Sequence, residues 1–178
     1  MSAEFSRLRR FAAALLALAI AGVTFRPQLA QALVVRGDDY LYRGDTNAAL
    51  ERYRRALALS PSLEAAADRY VFVSMQQHTA RALHDGIAEA SRYLLHRPGD
   101  ATLLSDRALC YLREKRYERA QRDFERSAGT LGAQAYVFAG WAAHHAGRFA
   151  AAQRLWRRAL SAQPHYRPAV IALVEHPR

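Results

Sequence analysis

Histidine and cysteine are the residues of this sequence best suited to metal binding or catalysis. His144 and His145 are adjacent, while His78 and His84 lie elsewhere in the chain. Adjacent residues of a helix point about 100° apart, so His144 and His145 cannot both bind one ion from the same helix face. We therefore expect these histidines to lie on the surface or in a groove, and we expect no metal site.

No other pattern of residues indicates an enzyme. The chain has no glycine-rich phosphate loop, no zinc-type cysteine spacing and no nucleophile elbow. Its single cysteine, Cys110, lies in the apolar run "ALCYL" and is expected to be a small buried hydrophobic residue. We predict a protein without enzymatic activity and without a cofactor.

The tripeptide Arg-Gly-Asp, known from adhesion motifs, occurs twice. Its glycines, Gly37 and Gly44, fall where a helix-rich chain needs a small residue for packing or for a tight turn. We expect Gly37 in the middle of a helix and Gly44 in a turn, and we interpret both tripeptides structurally.

The charge balance is strongly basic and is carried by arginine. The formal net charge of the 178 residues is +10, and Lys115 is the only lysine. Such a charge permits nucleic acid or anionic lipid as a partner, although it says nothing about the fold. An apolar content of 51% is enough to bury a core.

The N-terminus resembles a targeting segment. A basic tail, residues 1–10, precedes a run without charged residues at 11–25, and Arg26 ends this run. Fifteen helical residues span about 22 Å, less than the roughly 30 Å hydrocarbon core, but flanking arginines can extend the reach. We favour a retained membrane anchor with the remaining chain on the periplasmic side of a bacterial inner membrane. A cleaved signal segment and a buried helix are the alternatives. Residues 26–29 are predicted to be a linker.

Small and large residues recur at fixed offsets through the rest of the chain. A small residue is followed by a large one at +4 and by a second small one at +7, and the sets are Ala49, Tyr53 and Ala56; Ala120, Phe124 and Ser127; and Ala152, Trp156 and Ala159. Two helices approach closely only where side chains are small, and one large side chain fills the space beside the crossing. Turn residues precede each set, and Pro61 and Pro164 follow two of them.

This pattern resembles the tetratricopeptide repeat, a helix-turn-helix unit of 34 residues. The resemblance covers residues 30–164 in four units, approximately 30–63, 64–100, 101–132 and 133–164. It implies an all-α fold, a right-handed α-solenoid. The apolar run at 11–25 adds one hydrophobic helix before it. Residues 165–178 should form a short capping helix. The second unit is irregular, with Gly86, Ala90 and Tyr93 aligned to the small, large and small positions.

Four arginines take one position in this alignment, just before the second small residue, and should form a basic ladder on the convex face: Arg55, Arg92, Arg126 and Arg158. Acidic neighbours on the same helices make an ordinary solvated face the favoured interpretation. Anionic lipid is the better functional alternative, because the aromatic residues that nucleic acid would need for stacking are used in the core.

The family resemblance also implies a concave groove that binds a protein or peptide. The candidate groove residues are Val34, Tyr42, Val71, Met75, His78, Leu109, Leu112, Arg113, Val137, Trp141 and His144. We predict a membrane-anchored scaffold that assists assembly or stability of an envelope protein complex. The alternatives are an exported periplasmic adaptor released by signal cleavage and an accessory subunit that regulates an enzyme.

Overall fold

The structure, a computed structural model, describes residues 25–177, and within that range every regular element is a helix. This confirms the all-α prediction. Helix α1 covers residues 25–42 of the described range. The others are α2 (Thr46–Leu59), α3 (Glu64–Gln76), α4 (Ala80–His96), α5 (Ala101–Arg113), α6 (Tyr117–Leu131), α7 (Ala133–His145), α8 (Phe149–Ala162) and α9 (Arg167–Glu175).

The N-terminal predictions fall largely outside this range. Residues 1–24, which hold the basic tail and nearly all of the predicted anchor, are not described. Among the helices of residues 25–177, none is long and apolar enough to cross a membrane. Residues 26–29 differ from the predicted linker, because they already belong to α1. Proline removes one backbone hydrogen bond, but its fixed φ is helical, so Pro27 does not end the helix.

The chain divides into two compact units, residues 1–63 and 64–178. In the first unit α1 and α2 are joined by a short turn. In the second unit each helix from α3 to α9 packs against the next, and α3 also contacts α5, as α7 contacts α9. Successive helices joined by short turns are antiparallel neighbours, so this unit is built from helix pairs with α9 added at the end.

One left-handed residue marks the turn inside each of the four helix pairs. These residues have φ between +52° and +81° and are Gly44, His78, Lys115 and Gly147. In each pair the first helix ends two residues before the left-handed residue, and the second helix begins two residues after it. Glycine adopts this conformation without strain, and the Gly44 and Gly147 turns carry this signal in the sequence.

The core is made where small residues of one helix meet large residues of the next. A Cβ atom added to Gly37 would overlap the Tyr53 ring, and one added to Gly140 would overlap the Trp156 indole. Tyr53 and Trp156 are fully buried, as is Phe124 of the third pair. Gly37 therefore lies within α1 for a packing reason, and Gly44 lies in the turn, as predicted for the two Arg-Gly-Asp tripeptides.

Tyrosine hydroxyls add two hydrogen bonds between neighbouring helices. Tyr53 Oη donates to Asp38 Oδ1 at 2.7 Å and joins α2 to α1. Tyr93 Oη donates to Asp100 Oδ2 at 2.8 Å, while Asp100 Oδ1 accepts from the Leu103 backbone and caps α5. Burial and this carboxylate raise the pKa of Tyr93, so its hydroxyl keeps its proton.

Candidate functional site

The predicted groove residues divide into buried and accessible groups. Val34, Val71, Met75 and Val137 are buried, with at most 8% of their surface exposed, so in this conformation they are core residues and cannot contact a partner. Tyr42, at the end of α1, is 94% exposed. Leu109, Leu112, Trp141 and His144 are partly exposed on α5 and α7.

Two other groove candidates have different positions from those expected. α3 ends at Gln76, so His78 lies in the turn that follows it and not on the helix face. Arg113 is exposed, but its Nη1 donates to the backbone carbonyl of Met75. That carbonyl belongs to the last turn of α3, and it also accepts a hydrogen bond from the His78 backbone N–H at 3.4 Å. Arg113 therefore links the end of α3 to α5.

The left-handed turn residues correct the register of the second pair. Measured from them, Leu109 and Trp141 both lie six residues before the turn, and the equivalent residue of α3 is Phe72. Phe72 is 48% exposed. The sequence alignment missed Phe72 because it was set by small residues in α4, a helix of 17 residues where α2 and α8 have 14. The positive φ of His78 carries no glycine signal, but its distance from Gly44, 34 residues, equals the repeat length.

These three residues, Phe72, Leu109 and Trp141, define a first-helix row. They occupy one position on three first helices of residues 64–177, and each is large, apolar and at least partly exposed. Because exposed large apolar side chains at equivalent positions contribute little to stability, this row is the candidate partner surface of the described residues.

Trp141 belongs to an aromatic cluster at the C-terminal end of the row. Its ring lies 5.3 Å from the Trp156 ring and 5.2 Å from the His176 ring, centroid to centroid. Gln153 Nε2 donates to the His176 carbonyl at 3.3 Å and holds the segment after α9 in place. Trp141 therefore packs against Trp156 of α8 and His176, while Val170 and Ile171 of α9 remain more than 40% exposed.

The histidines of this cluster do not form a metal site. The rings of His144 and His176 lie 4.4 Å apart, and those of His144 and His145 lie 5.9 Å apart. Nevertheless, within residues 25–177 no group of three His, Cys, Asp or Glu side chains is placed to hold a metal ion. Burial, followed by the two neighbouring histidines, lowers the pKa of His144, so this ring favours its neutral form.

The predicted basic ladder is occupied by local partners. Arg55 Nε donates to Glu51 Oε1 at 2.8 Å, and Arg126 Nη2 donates to the Pro98 carbonyl at 2.8 Å. The Arg158 guanidinium lies 4.8 Å from the Tyr136 ring centroid. These contacts favour a solvated structural face, in which exposed pairs contribute little to stability.

Arg92 was wrongly assigned to the basic ladder. Measured from the turn, the residue of α4 that matches Arg55, Arg126 and Arg158 is Glu89, and Arg92 lies one helical turn further on. Arg92 Nη1 forms an ion pair with Glu89, which is buried. The misalignment has the same cause as the missed Phe72, the greater length of α4.

A partly buried acidic group, Asp106, lies on α5 beside Asp68 of α3. Burial, followed by the neighbouring Asp68 side chain, raises the pKa of Asp106 to about 7, and its Oδ2 atom is shielded from solvent. Burial, followed by the charge of Asp106, raises the pKa of Cys110 to about 12. The thiol therefore stays protonated and unreactive, as expected for a structural cysteine.

The stacking of these helix pairs is shared with solved structures. The chain matches MamA with a TM-score of 0.65 and 16% identity over 78% of this chain and 83% of that one. The fold is that of tetratricopeptide repeat proteins. TTC0263, a thermophilic tetratricopeptide repeat protein of Thermus thermophilus, matches with a TM-score of 0.64 and 17% identity, over 94% of this chain and 96% of that one.

A third similar structure is YrrB, described as a tetratricopeptide repeat protein with an unusual peptide-binding site. It matches with a TM-score of 0.66 and 16% identity, over 92% of this chain and 87% of that one. No protein-family model matches the sequence, and a search of the curated proteins finds no match. At this level of identity the similarity shows a common tetratricopeptide repeat fold and leaves function to be argued from the residues.

Proposed function

We propose that this chain is a non-enzymatic protein-interaction scaffold that binds a protein or peptide partner through its first-helix row. The observation that carries the proposal is the row itself, Phe72, Leu109 and Trp141 at one repeat position. Helix pairs that present their first helices to a partner are the usual means of binding in repeat proteins. The peptide-binding site named for YrrB is consistent with this class of function.

The proposal extends to a place in the cell. The apolar run at 11–25 between arginines supports a membrane anchor, with the repeats on the periplasmic side and a role in assembling or stabilising an envelope complex. A soluble periplasmic adaptor and an enzyme-regulating subunit are the competing forms. The mass of the mature protein separates a retained segment from a cleaved one.

Two exposed apolar residues provide a matched test of the binding surface. Phe72 lies on the first-helix row and is 48% exposed, whereas Leu95 lies on the second helix α4 and is 81% exposed. Each is replaced by serine in the affinity-tagged full chain, and co-purified partners are quantified by mass spectrometry. We expect Phe72→Ser to lose at least about tenfold of the bound partner, as for a residue central to an interface, and Leu95→Ser to keep it. Both variants should have nearly unchanged melting temperatures.

The opposite pattern would contradict the proposal. If Leu95→Ser loses the partner and Phe72→Ser retains it, the first-helix row is not the working surface. Loss of partner in both variants with intact folding would indicate nonspecific apolar binding.

A further inference from the structure

A cleft on the third helix pair is lined by four arginines, one tyrosine and one aspartate. Its volume is about 390 Å³, and its lining residues are Arg107, Tyr111, Arg119, Arg122, Asp123 and Arg126. Arg107 is anchored at one side of it, with Nε and Nη2 donating to the two Asp123 oxygens at 2.8 and 3.0 Å, and Nη1 donating to Ser91 Oγ at 3.0 Å. This largely buried bidentate pair shows that the cleft already accommodates one carboxylate.

The remaining arginines leave the cleft with excess positive charge. Four arginines face one carboxylate, so three positive charges are not neutralised within it. Arg126 lies 3.8 Å from Asp123. Arg119 and Arg122 are exposed, and among the described residues neither forms an ion pair. The guanidinium carbons of Arg107 and Arg119 each lie 5.8 Å from the Tyr111 ring centroid, so the tyrosine holds both cations at the cleft wall.

A similar cleft recurs on the first helix pair. It has a volume of about 220 Å³, and its lining residues are Arg36, Asp39, Tyr40, Arg43 and Arg52. Arg36 and Tyr40 lie eight and four residues before Gly44, as Arg107 and Tyr111 lie before Lys115. The Arg52 guanidinium lies 5.4 Å from the Tyr40 ring, and its buried Nε has no hydrogen-bond partner among the described residues. The same pair of residue types thus builds a basic cleft at the same repeat position in two of the four pairs.

We propose that the arginine cleft of the third pair binds acidic side chains of an extended protein segment, and that the counterpart on the first pair, taken by itself, offers the same chemistry. This inference rests on the proposed function, because it assigns a chemistry to the same partner. The cleft would be a second contact surface besides the first-helix row. Guanidinium groups bind planar carboxylates through two parallel hydrogen bonds, the arrangement already present between Arg107 and Asp123. A partner segment with several aspartates or glutamates also matches the net charge of +10.

Fluorescence anisotropy on the full chain tests this directly. The probe is a fluorescein-labelled peptide of about ten residues with alternating glutamate and glycine, titrated at about 0.15 M salt, where interactions between distant charges are screened. Arg119→Gln combined with Arg122→Gln removes two exposed charges from the cleft. Arg154→Gln combined with Arg157→Gln removes two exposed charges from α8 and serves as the matched control. Arg107 is left intact because its loss would remove two hydrogen bonds from the buried carboxylate of Asp123.

We expect the cleft variant to weaken binding of the probe about tenfold and the control to change it less than about threefold, because only the cleft arginines contact the carboxylates. Equal weakening by both variants would mean that only net charge matters and would overturn the site, as would unchanged binding by the cleft variant. Displacement of the probe by inorganic phosphate at millimolar concentration, or binding of vesicles containing phosphatidylserine in its place, would also overturn the assignment to carboxylates. If the probe fails to bind while partner capture still depends on Phe72, this inference falls and the proposed function stands.

Discussion

At the scale of single residues, the fold depends on a few positions where no side chain can be added. Gly140 is such a position, because Trp156 occupies the space that its Cβ would take. Trp156 cannot yield easily, since it is fully buried and its Nε1 donates to the Val137 carbonyl at 3.3 Å. Gly129 of α6 is the opposite case, with nothing within 4 Å of the place of its Cβ.

Gly140→Ala should therefore destabilise the protein, while Gly129→Ala should not. We expect Gly140→Ala to cost about 1–3 kcal/mol, because the large ring must shift in a packed core. Gly129→Ala should be neutral or gain up to about 1 kcal/mol from helix propensity. Urea denaturation of both variants measures the difference, and equal stabilities would show that the close contact between Gly140 and Trp156 is absent in solution.

Asp106 predicts how stability depends on pH. Its pKa rises from an ordinary value of 3.8 to about 7 in the folded protein, so between these values the folded state holds more protons than the unfolded state. The free energy of unfolding contributed by this group is therefore highest below about pH 4 and falls as pH rises towards 7.

In the Asp106→Asn variant this side chain is neutral at every pH, so the fall in the free energy of unfolding between about pH 4 and 7 should disappear. We expect the variant to melt at a higher temperature than the wild type at about pH 8 and to lose that advantage by about pH 4. Thermal melts followed by circular dichroism across this pH range provide the comparison. Asp85→Asn on α4 serves as the control substitution. A constant difference between wild type and Asp106→Asn at every pH would contradict the assigned titration.

At the scale of elements, the turns were less visible in the sequence than the helices. The sequence indicated the turns at Gly44, Lys115 and Gly147, and two of these carry a glycine, which favours positive φ. His78 and Lys115 adopt the same conformation without that signal. The spacing of small and large residues located the helix pairs in α2, α6 and α8. It failed in α4, where Ile87 and Tyr93 are both buried and either can be taken as the large residue.

The candidate site was harder to predict because the register of the second helix pair is ambiguous in the sequence. A change of register in the second pair replaces exposed Phe72 with buried Met75 and moves Arg92 onto the position of Glu89. Residues three or four apart share a helix face, so periodicity alone does not distinguish these registers. The arginine clefts could not be found from single helices at all, because their lining comes from two helices brought together by the turn.

At the scale of the whole molecule, the chain consists of two compact units, and the boundary in the sequence falls between Leu63 and Glu64. The second unit has its own buried core, in which Tyr93, Leu103, Phe124 and Trp156 are fully buried. Repeat proteins draw their stability from contacts between neighbouring repeats, so a set of three pairs with a capping helix can stand alone.

We expect residues 64–178, expressed alone, to fold and to unfold cooperatively. Circular dichroism should show a helical spectrum. Urea should unfold the fragment in one cooperative transition with a single midpoint, as expected for a folded domain. A chain of residues 25–63 is the comparison, and the isolated pair of α1 and α2 should be much less stable. A disordered 64–178 fragment would show that the first pair is required for the core of the others.

The aromatic cluster also gives the protein a built-in optical reporter. The chain contains only two tryptophans, Trp141 and Trp156, and their rings are in contact. Intrinsic tryptophan emission therefore originates wholly from the fourth helix pair. Because His176 lies against Trp141, this emission responds to any event that moves the C-terminal segment or seats a ligand at that end of the first-helix row. A ligand that binds only the arginine cleft of the third pair should leave the emission almost unchanged, so one unlabelled sample can distinguish the two surfaces.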